Sequence, residues 1–382
     1  MSEPRAATFV FAGGGTGGHL FPAIALADRL FERLAEEREV RILFVGTKRG
    51  IEYRLEDKLG YPLRVINVRG LVRSFTLTNL LVPFLVIGAL WQSRKLLKEW
   101  KPDVVIGTGG YVSWPVLRMA AWMHTPTVIQ EQNSYPGIAT RRLATNAVRV
   151  YLGFDEARRF INDSAPMTTT GNPVRGSVAK GDRFEALHRF GLAHDKKTIL
   201  VLGGSQGARS LNDAVLKGLV GGSLPDDCQL LWQTGKLDYD KLVANAGKHA
   251  DGHKLFAFED RMDLVYAAAD LAVARAGAIT LAELEACHLP VVLVPYPHAA
   301  GDHQRQNARS FASRGWAEVV DPNDLAGVDL LAMATQLLHD GKAQTMRQTM
   351  KEQTAGKKPA VDVIVDDIIA LLGEAERTKV VN

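Results

Sequence analysis

Cysteine is almost absent. The 382 residues include two, Cys228 and Cys287, and neither has a partner at redox or metal-ligand spacing. A disulfide framework, a zinc ribbon and a C-x-x-C redox centre are therefore excluded, and the chain suits a reducing compartment in which each thiol is buried or a bystander. Long apolar runs are missing too. The longest, "LLVPFLVIGALW" from Leu80 to Trp91, is broken by Pro83 and Gly88 and falls far short of the ~20 residues that a spanning helix needs. The opening "MSEPRAATFV" has no charged-then-apolar leader pattern. Neither sign of charge prevails: 46 Lys and Arg stand against 42 Asp and Glu, a net +4. That balance admits anionic partners and gives no reason to expect nucleic acid. No glycine loop continues into Lys-Ser or Lys-Thr, which excludes a P-loop. No Asp-x-Asp lies in a loop suited to a divalent cation.

What remains is a chain with 46% apolar and 23% charged residues, able to bury large cores and long enough for two domains. Short apolar runs alternate with helical patterns. Strands are expected at Thr8–Ala12, Val40–Val45, Leu63–Val68, Val104–Ile106, Thr127–Gln130 and Val148–Leu152. A second series is expected at Thr198–Leu202, Gln229–Gln233, Lys254–Phe258, Leu271–Ala274, Val291–Pro295 and Ala317–Val320. Alternation of this kind gives parallel sheets with crossover helices, an α/β fold. The two series open alike, with "ATFVFAGGGTGGH" and "KTILVLGGSQGAR", so each is read as a doubly wound domain with a glycine loop after its first strand. Ligands of such sheets sit outside the strand C-terminal ends. The polar, turn-rich stretch at 162–176 is expected to be the linker. The first domain is placed at 1–170 with a returning C-terminal helix at 359–382, and the second at 171–358. Val361, Ile364, Ile368, Ile369 and Leu372 mark one face of that last helix.

The stretch "FVFAGGGTGGHLFPAIALAD" carries most of the chemistry. Glycines let the backbone turn tightly and let a ligand approach the amides, and the helix that follows offers free N–H groups and a positive dipole end to a phosphate. A helix is expected from Pro22, with Ile24, Ala27, Leu30, Phe31 and Leu34 on its apolar face. Gly13, Gly15 and Gly18 also satisfy the dinucleotide fingerprint G-x-G-x-x-G. The second strand, however, ends "LFVGTKRG" without the acid that would hold an NAD ribose, so Lys48 and Arg49 leave an NADP reading open. Further glycine clusters at Gly107–Gly110 and in "GGSQGARSLN" suggest more than one phosphate-bearing ligand, against the plainer view that they only make tight turns. His19 stands in the first turn of a helix. The dipole there disfavours a protonated ring, and a neutral imidazole can accept a proton as a general base. Glu131 is the rival base. Thr280 and Glu283 form T-x-x-E, which also reads as a capping box. His298, Asp302 and His303 match no standard metal site.

Taken together and in order, "GGGTGGHLFPAIALA", "GTGGYVSWP", "IQEQNSYPG", "TGNPVR", "LGGSQGARSLN", "WQTGK", "ARAGAITLAEL" and "VPYPHAAGDHQRQNA" resemble the MurG family of N-acetylglucosaminyl transferases, from about residue 8 to residue 320. The resemblance implies a GT-B architecture, two Rossmann-like doubly wound parallel-sheet domains facing a deep cleft. It implies inverting transfer of N-acetylglucosamine from UDP-N-acetylglucosamine to lipid I, the undecaprenyl-diphosphoryl-N-acetylmuramoyl pentapeptide, with no cofactor and no tightly bound metal. It places Thr16, Gly17 and Gly18 by the donor sugar and acceptor diphosphate, Asn133 on the donor sugar, and Arg175 and Ser205 by the nucleotide phosphates. Ala278, Ile279, Thr280, Leu281, Ala282 and Glu283 form the nucleotide pocket, with Glu283 on the ribose hydroxyls. Gln304 reaches the donor sugar, Gln306 follows it, and Glu259 meets the uracil through its backbone. His19 is the base, and loop amides with Arg175 absorb the charge of departing UDP. Other readings are another GT-B UDP-sugar enzyme (an epimerase or a glycolipid synthase) and a nucleotide-binding module.

Residues 70–101 mix apolar residues with Arg73, Arg94, Lys95 and Lys98, and Arg69 precedes them. An apolar patch ringed by basic residues suits peripheral docking on an anionic leaflet, and with a polyprenyl acceptor this implies the cytoplasmic face of the inner membrane.

Overall fold

The computed structural model describes residues 5–68, 82–204 and 208–381. Two compact units emerge: Met1–Arg175 with Lys358–Asn382, and Gly176–Lys357.

The first unit holds β1 (Ala7–Gly13), β2 (Val40–Gly46), β3 (Leu63–Val65), β4 (Val104–Gly109), β5 (Thr127–Glu131), β6 (Arg149–Leu152) and β7 (Met167–Thr169). They form one sheet in the order β3-β2-β1-β4-β5-β6-β7, and every pairing is parallel. The strands read as continuous apolar runs because both faces are covered. Phe9, Phe11, Ile42, Phe44, Val104 and Ile106 point to one face, against Leu20, Leu26 and Leu30 of the first helix and Ile364 and Ile368 of the last. Val10, Ala12, Leu43, Val45 and Val105 point to the other, against Leu96, Leu97, Val116 and Leu117. The last helix, Ala360–Val381, is tied on by polar contacts as well: Arg29 to Asp362 at 2.6 Å, Arg33 to Asp366 at 2.9 Å, and Arg149 and the Tyr151 hydroxyl to Asp367 at 3.0 and 2.6 Å. Burial and Asp367 together push the Tyr151 phenol well above its ordinary value.

The second unit contains β8 (Lys197–Leu202), β9 (Cys228–Gln233), β10 (Lys254–Phe256), β11 (Leu271–Ala274), β12 (Val291–Leu293) and β13 (Ala317–Val319). Its sheet is also wholly parallel, in the order β10-β9-β8-β11-β12-β13. The first strand of each unit thus lies at the point where the strand order reverses, between β2 and β4 or between β9 and β11. That is where ligands of such sheets bind. Ile199, Val201, Trp232 and Val273 bury one face against Leu211, Val215 and Leu331.

Several expectations need correction. Met167–Thr169, inside the expected linker, is an edge strand paired with β6, and the contact boundary falls at Arg175 and Gly176. The first helix runs from Gly17 to Leu34 and encloses Pro22 instead of starting there. Phe31, placed on its apolar face, is 46% exposed. It lines a surface cavity of about 400 Å³ with Tyr61 and Trp100. No described helix is long and apolar enough to cross a membrane. Cys228 is buried and Cys287 half-buried, and burial pushes their thiols up to about 11 and about 12.

Candidate functional site

Where β1 ends, its register with β4 slips, so that Gly13 faces Gly109. Two glycine loops leave the sheet together at this bulge. The first leads into the Gly17–Leu34 helix, capped by Thr16, whose side chain makes no cap hydrogen bond. The His19 and Leu20 amides both donate to the Thr16 carbonyl at 3.2 Å, which leaves the Gly17 and Gly18 amides at the helix start without an intrahelical acceptor. Thr16 and Gly18 are exposed, and Gly17 is half-buried. Behind them lies His19. Its Nδ1 stands 3.0 Å from the Thr108 carbonyl and 2.9 Å from Gln132 Oε1. Gln132 Nε2 donates to the Thr108 and Gln130 carbonyls, at 2.8 and 2.9 Å, which fixes the amide so that its oxygen faces the histidine. Both neighbours of Nδ1 are acceptors, so Nδ1 carries the proton and Nε2 is left with a lone pair. Asn172, through Gln130 and the Gln132 carbonyl, holds the glutamines in turn.

The second loop closes over the ring. Gly109 and Gly110 have φ of +100° and +79°. A Cβ on Gly109 would lie 2.7 Å from His19 Nδ1, and one on Gly110 2.5 Å from the Gly14 carbonyl. Only glycine meets both the backbone and the space requirement. Beneath the first loop sits Glu52, 1% exposed, whose oxygens accept from the Gly15 and Thr47 amides at 2.8 and 2.9 Å.

The rival base is spoken for. Glu131 is buried, and its carboxylate accepts from the Asn133 and Gly137 amides at 3.1 and 3.0 Å and from Thr140 Oγ1 at 2.6 Å. It shapes the turn that presents the half-buried Asn133. Arg175 is not gathered at His19. It pairs with Asp28 at 3.6 Å, nine residues further along the same helix, roughly 13 Å along the axis.

In the second unit, the Ala278–Ala286 helix starts where β11 ends, and its N-cap is Gly277. Thr280 is therefore inside the first turn, and the T-x-x-E pair is not a capping box. Ala278, Ile279, Leu281 and Ala282 are buried, and Thr280 and Glu283 are partly exposed. Glu283 accepts a 2.7 Å hydrogen bond from the Tyr266 hydroxyl, and burial with that carboxylate raises the phenol well above its usual range. Gln304 Oε1 accepts from the Tyr296 amide at 2.9 Å, and Gln306 donates to the Gly301 carbonyl at 3.3 Å. The Glu259 carboxylate caps its own turn through the Asp260 and Arg261 amides and meets Arg189. Ser205 lies outside the described residues, as does Arg73. Asp302 pairs with Arg305 at 3.3 Å, and His303 Nδ1 faces the Ala300 carbonyl at 2.8 Å.

Four residues that the sequence reading did not single out shape these two loci: Thr108, Gln132, Glu52 and Arg275. Gln132 stands inside the quoted "IQEQNSYPG", the one signal that could have drawn attention to it. Arg275 is buried at the end of β11 and donates to the Val294 and Pro295 carbonyls and to Ser210 Oγ. Burial lowers its pKa from the ordinary arginine value.

Two family models match the chain. The glycosyltransferase family 28 N-terminal domain covers residues 9–152, and the family 28 C-terminal domain covers residues 198–364. A UDP-N-acetylglucosamine–N-acetylmuramyl-(pentapeptide) pyrophosphoryl-undecaprenol N-acetylglucosamine transferase of Chlorobium phaeobacteroides is 42% identical over 368 residues, 95% of this chain and 98% of the relative. Its namesake in Halothermothrix orenii is 39% identical over 367 residues, 94% and 97% of the two chains. Among solved structures, MurG of Acinetobacter baumannii superposes with a TM-score of 0.70 at 25% identity, over 96% of this chain and 100% of that one. UDP-GlcNAc 2-epimerase of Neisseria meningitidis superposes with a TM-score of 0.62 at 12% identity, covering 96% and 100%, a likeness of fold alone.

Proposed function

The chain belongs to the glycosyltransferase family 28 transferases that complete the lipid-linked disaccharide of peptidoglycan, and from that membership we propose how its own residues carry the reaction. It moves N-acetylglucosamine from UDP-N-acetylglucosamine to lipid I to make lipid II.

His19 is the general base. Its protonated Nδ1 is held by Thr108 and Gln132, so Nε2 takes the proton from the acceptor 4-hydroxyl as that oxygen attacks the anomeric carbon and the carbon–diphosphate bond breaks with inversion. The first-turn amides at Gly17 and Gly18 receive the acceptor diphosphate. Asn133 and Gln304 orient the donor sugar. The start of the Ala278–Ala286 helix receives the nucleotide, Glu283 accepts from its ribose hydroxyls, and the Glu259 backbone meets the uracil. Amide dipoles stabilise the UDP that leaves, and Arg175 joins them by exchanging Asp28 for the diphosphate, with no cation required. The tautomer fixed at His19 is the observation that carries this mechanism. Transfer of radiolabel from UDP-N-acetylglucosamine to purified lipid I, with and without a chelator, tests it. His19→Ala should lose turnover by ~10² to 10⁴-fold, the usual worth of a positioned base, and full turnover in that variant would remove the base assignment. Loss of activity on chelation with recovery on adding divalent ions would remove the metal-free leaving-group assignment.

The acceptor is a lipid, and the helix Val82–Trp100 supports peripheral docking on an anionic leaflet at the cytoplasmic side of the membrane. Ile87 and Trp91 are 64% and 65% exposed, and Arg94, Lys95 and Lys98 are exposed on the same stripe, at helical spacing. Apolar residues flanked by bases on one face suit insertion at the headgroup boundary.

A further inference from the structure

We propose that Glu52 is a positioning residue for the transfer reaction, an internal anion that holds the His19 loop in its working shape. The inference rests on the function proposed above. Four observations support it. Glu52 is 1% exposed. Its oxygens face N–H donors on two separate segments, Gly15 at 2.8 Å and Thr47 at 2.9 Å. Three glycines wall it in, since a Cβ on Gly14, Gly46 or Gly50 would come within 2.5, 2.3 or 2.0 Å of its side chain. Finally, Thr47 Oγ1 lies 3.2 Å from the Tyr111 hydroxyl, while a Cβ on Gly15 would lie 3.2 Å from the Tyr111 ring, so the second loop leans on the same assembly.

A glycine loop before a helix offers its amides to an anion. Here one of them, Gly15, is already taken by an anion the protein supplies. The loop is therefore a shaped support before any ligand arrives, and only the amides beyond Gly15 remain for a diphosphate. A neutral amide cannot replace the carboxylate. Glutamine in the same place could accept from one N–H, but it would turn an NH₂ toward the other.

Two variants test the assignment. Glu52→Gln keeps the shape and breaks the double acceptor. Gly50→Ala leaves the loop sequence intact, and at φ −75° it strains no backbone, but its methyl displaces the carboxylate. Both should lower kcat at least tenfold while the KM for UDP-N-acetylglucosamine stays within twofold. Wild-type kcat in either folded variant, or a donor KM that changes as much as kcat, overturns the proposal. With ¹⁵N-glycine labelling, the Gly15 amide proton should shift upfield in both Glu52→Gln and Gly50→Ala, and an unmoved resonance also overturns it. That second readout needs no turnover. If the wild-type protein transfers no sugar, the proposed function fails while the tether is still judged. If either variant does not fold, the resonance in the other one decides.

Discussion

Adding one methyl group at Gly109 should disable the proposed base, His19, without touching the proposed nucleotide locus. In Gly109→Ala the new carbon would stand 2.7 Å from His19 Nδ1 and 2.9 Å from Cε1. Ordinary van der Waals separation is ~3.5 Å or more, so the ring must move by about 0.7–1 Å. The contacts to Thr108 and Gln132, now 3.0 and 2.9 Å, would lengthen past useful hydrogen bonding. A misplacement of ~1 Å costs on the order of 10²-fold in rate, so kcat should fall about a hundredfold. The φ of +100° adds strain of roughly 1–2 kcal/mol for a residue with a Cβ, enough to lower the melting temperature by a few degrees. UDP affinity, proposed to reside in the second unit, should not change. The assay is steady-state transfer to lipid I beside UDP titration and thermal melting. A folded Gly109→Ala protein with kcat within about threefold of wild type would refute the view that the His19 ring position sets the rate.

Other outcomes can be stated briefly. Replacing Trp91 by Ser together with Arg94 and Lys95 by Glu should reduce binding to anionic vesicles far more than turnover on a soluble acceptor analogue; equal loss in both assays would reject the docking face. Ile364→Ala, at a fully buried position of the last helix, should destabilise the first unit by about 2–5 kcal/mol in denaturant unfolding. Burial lowers the pKa of His253 in the folded state, and the Leu230 amide donates to its Nδ1 at 3.4 Å. The unfolded chain therefore binds this proton more readily. Stability from His253 is complete above the ordinary histidine pKa of about 6.5 and is lost as pH falls through the folded value, so His253→Gln should flatten the acid side of the stability profile. Both cysteines, raised to about 11 and about 12 by burial, should resist iodoacetamide at pH 8 in the folded protein and react fully in denaturant.

Twelve of the thirteen strands among the described residues are legible in the sequence because a parallel sheet covered on both faces demands unbroken Val, Ile, Leu and Phe runs. Met167–Thr169 escapes because three residues with a single partner strand need no such run, and two of them are threonine. His19 is legible from its place between glycines and a helix. Gln132, which selects its tautomer, lies 113 residues from His19 in the chain, and Glu52, which holds Gly15, lies 37 residues from that glycine. Neither leaves a periodic trace, because each acts through one hydrogen-bonded group rather than through a face. Glu131 misleads for a related reason: its surroundings, not its type, commit all its bonding to a turn. The T-x-x-E pair misleads because Gly277 starts the helix three residues earlier than a threonine cap would.

The Ala360–Val381 helix follows the whole second unit in the chain yet seals a face of the first. The second unit, Gly176–Lys357, can emerge and close by itself, whereas Leu20, Leu26 and Leu30 wait uncovered for Ile364 and Ile368. Closure of the first unit thus waits on synthesis of the whole second unit, and nascent polypeptides stalled before Ala360 should depend on chaperones that shield the open sheet.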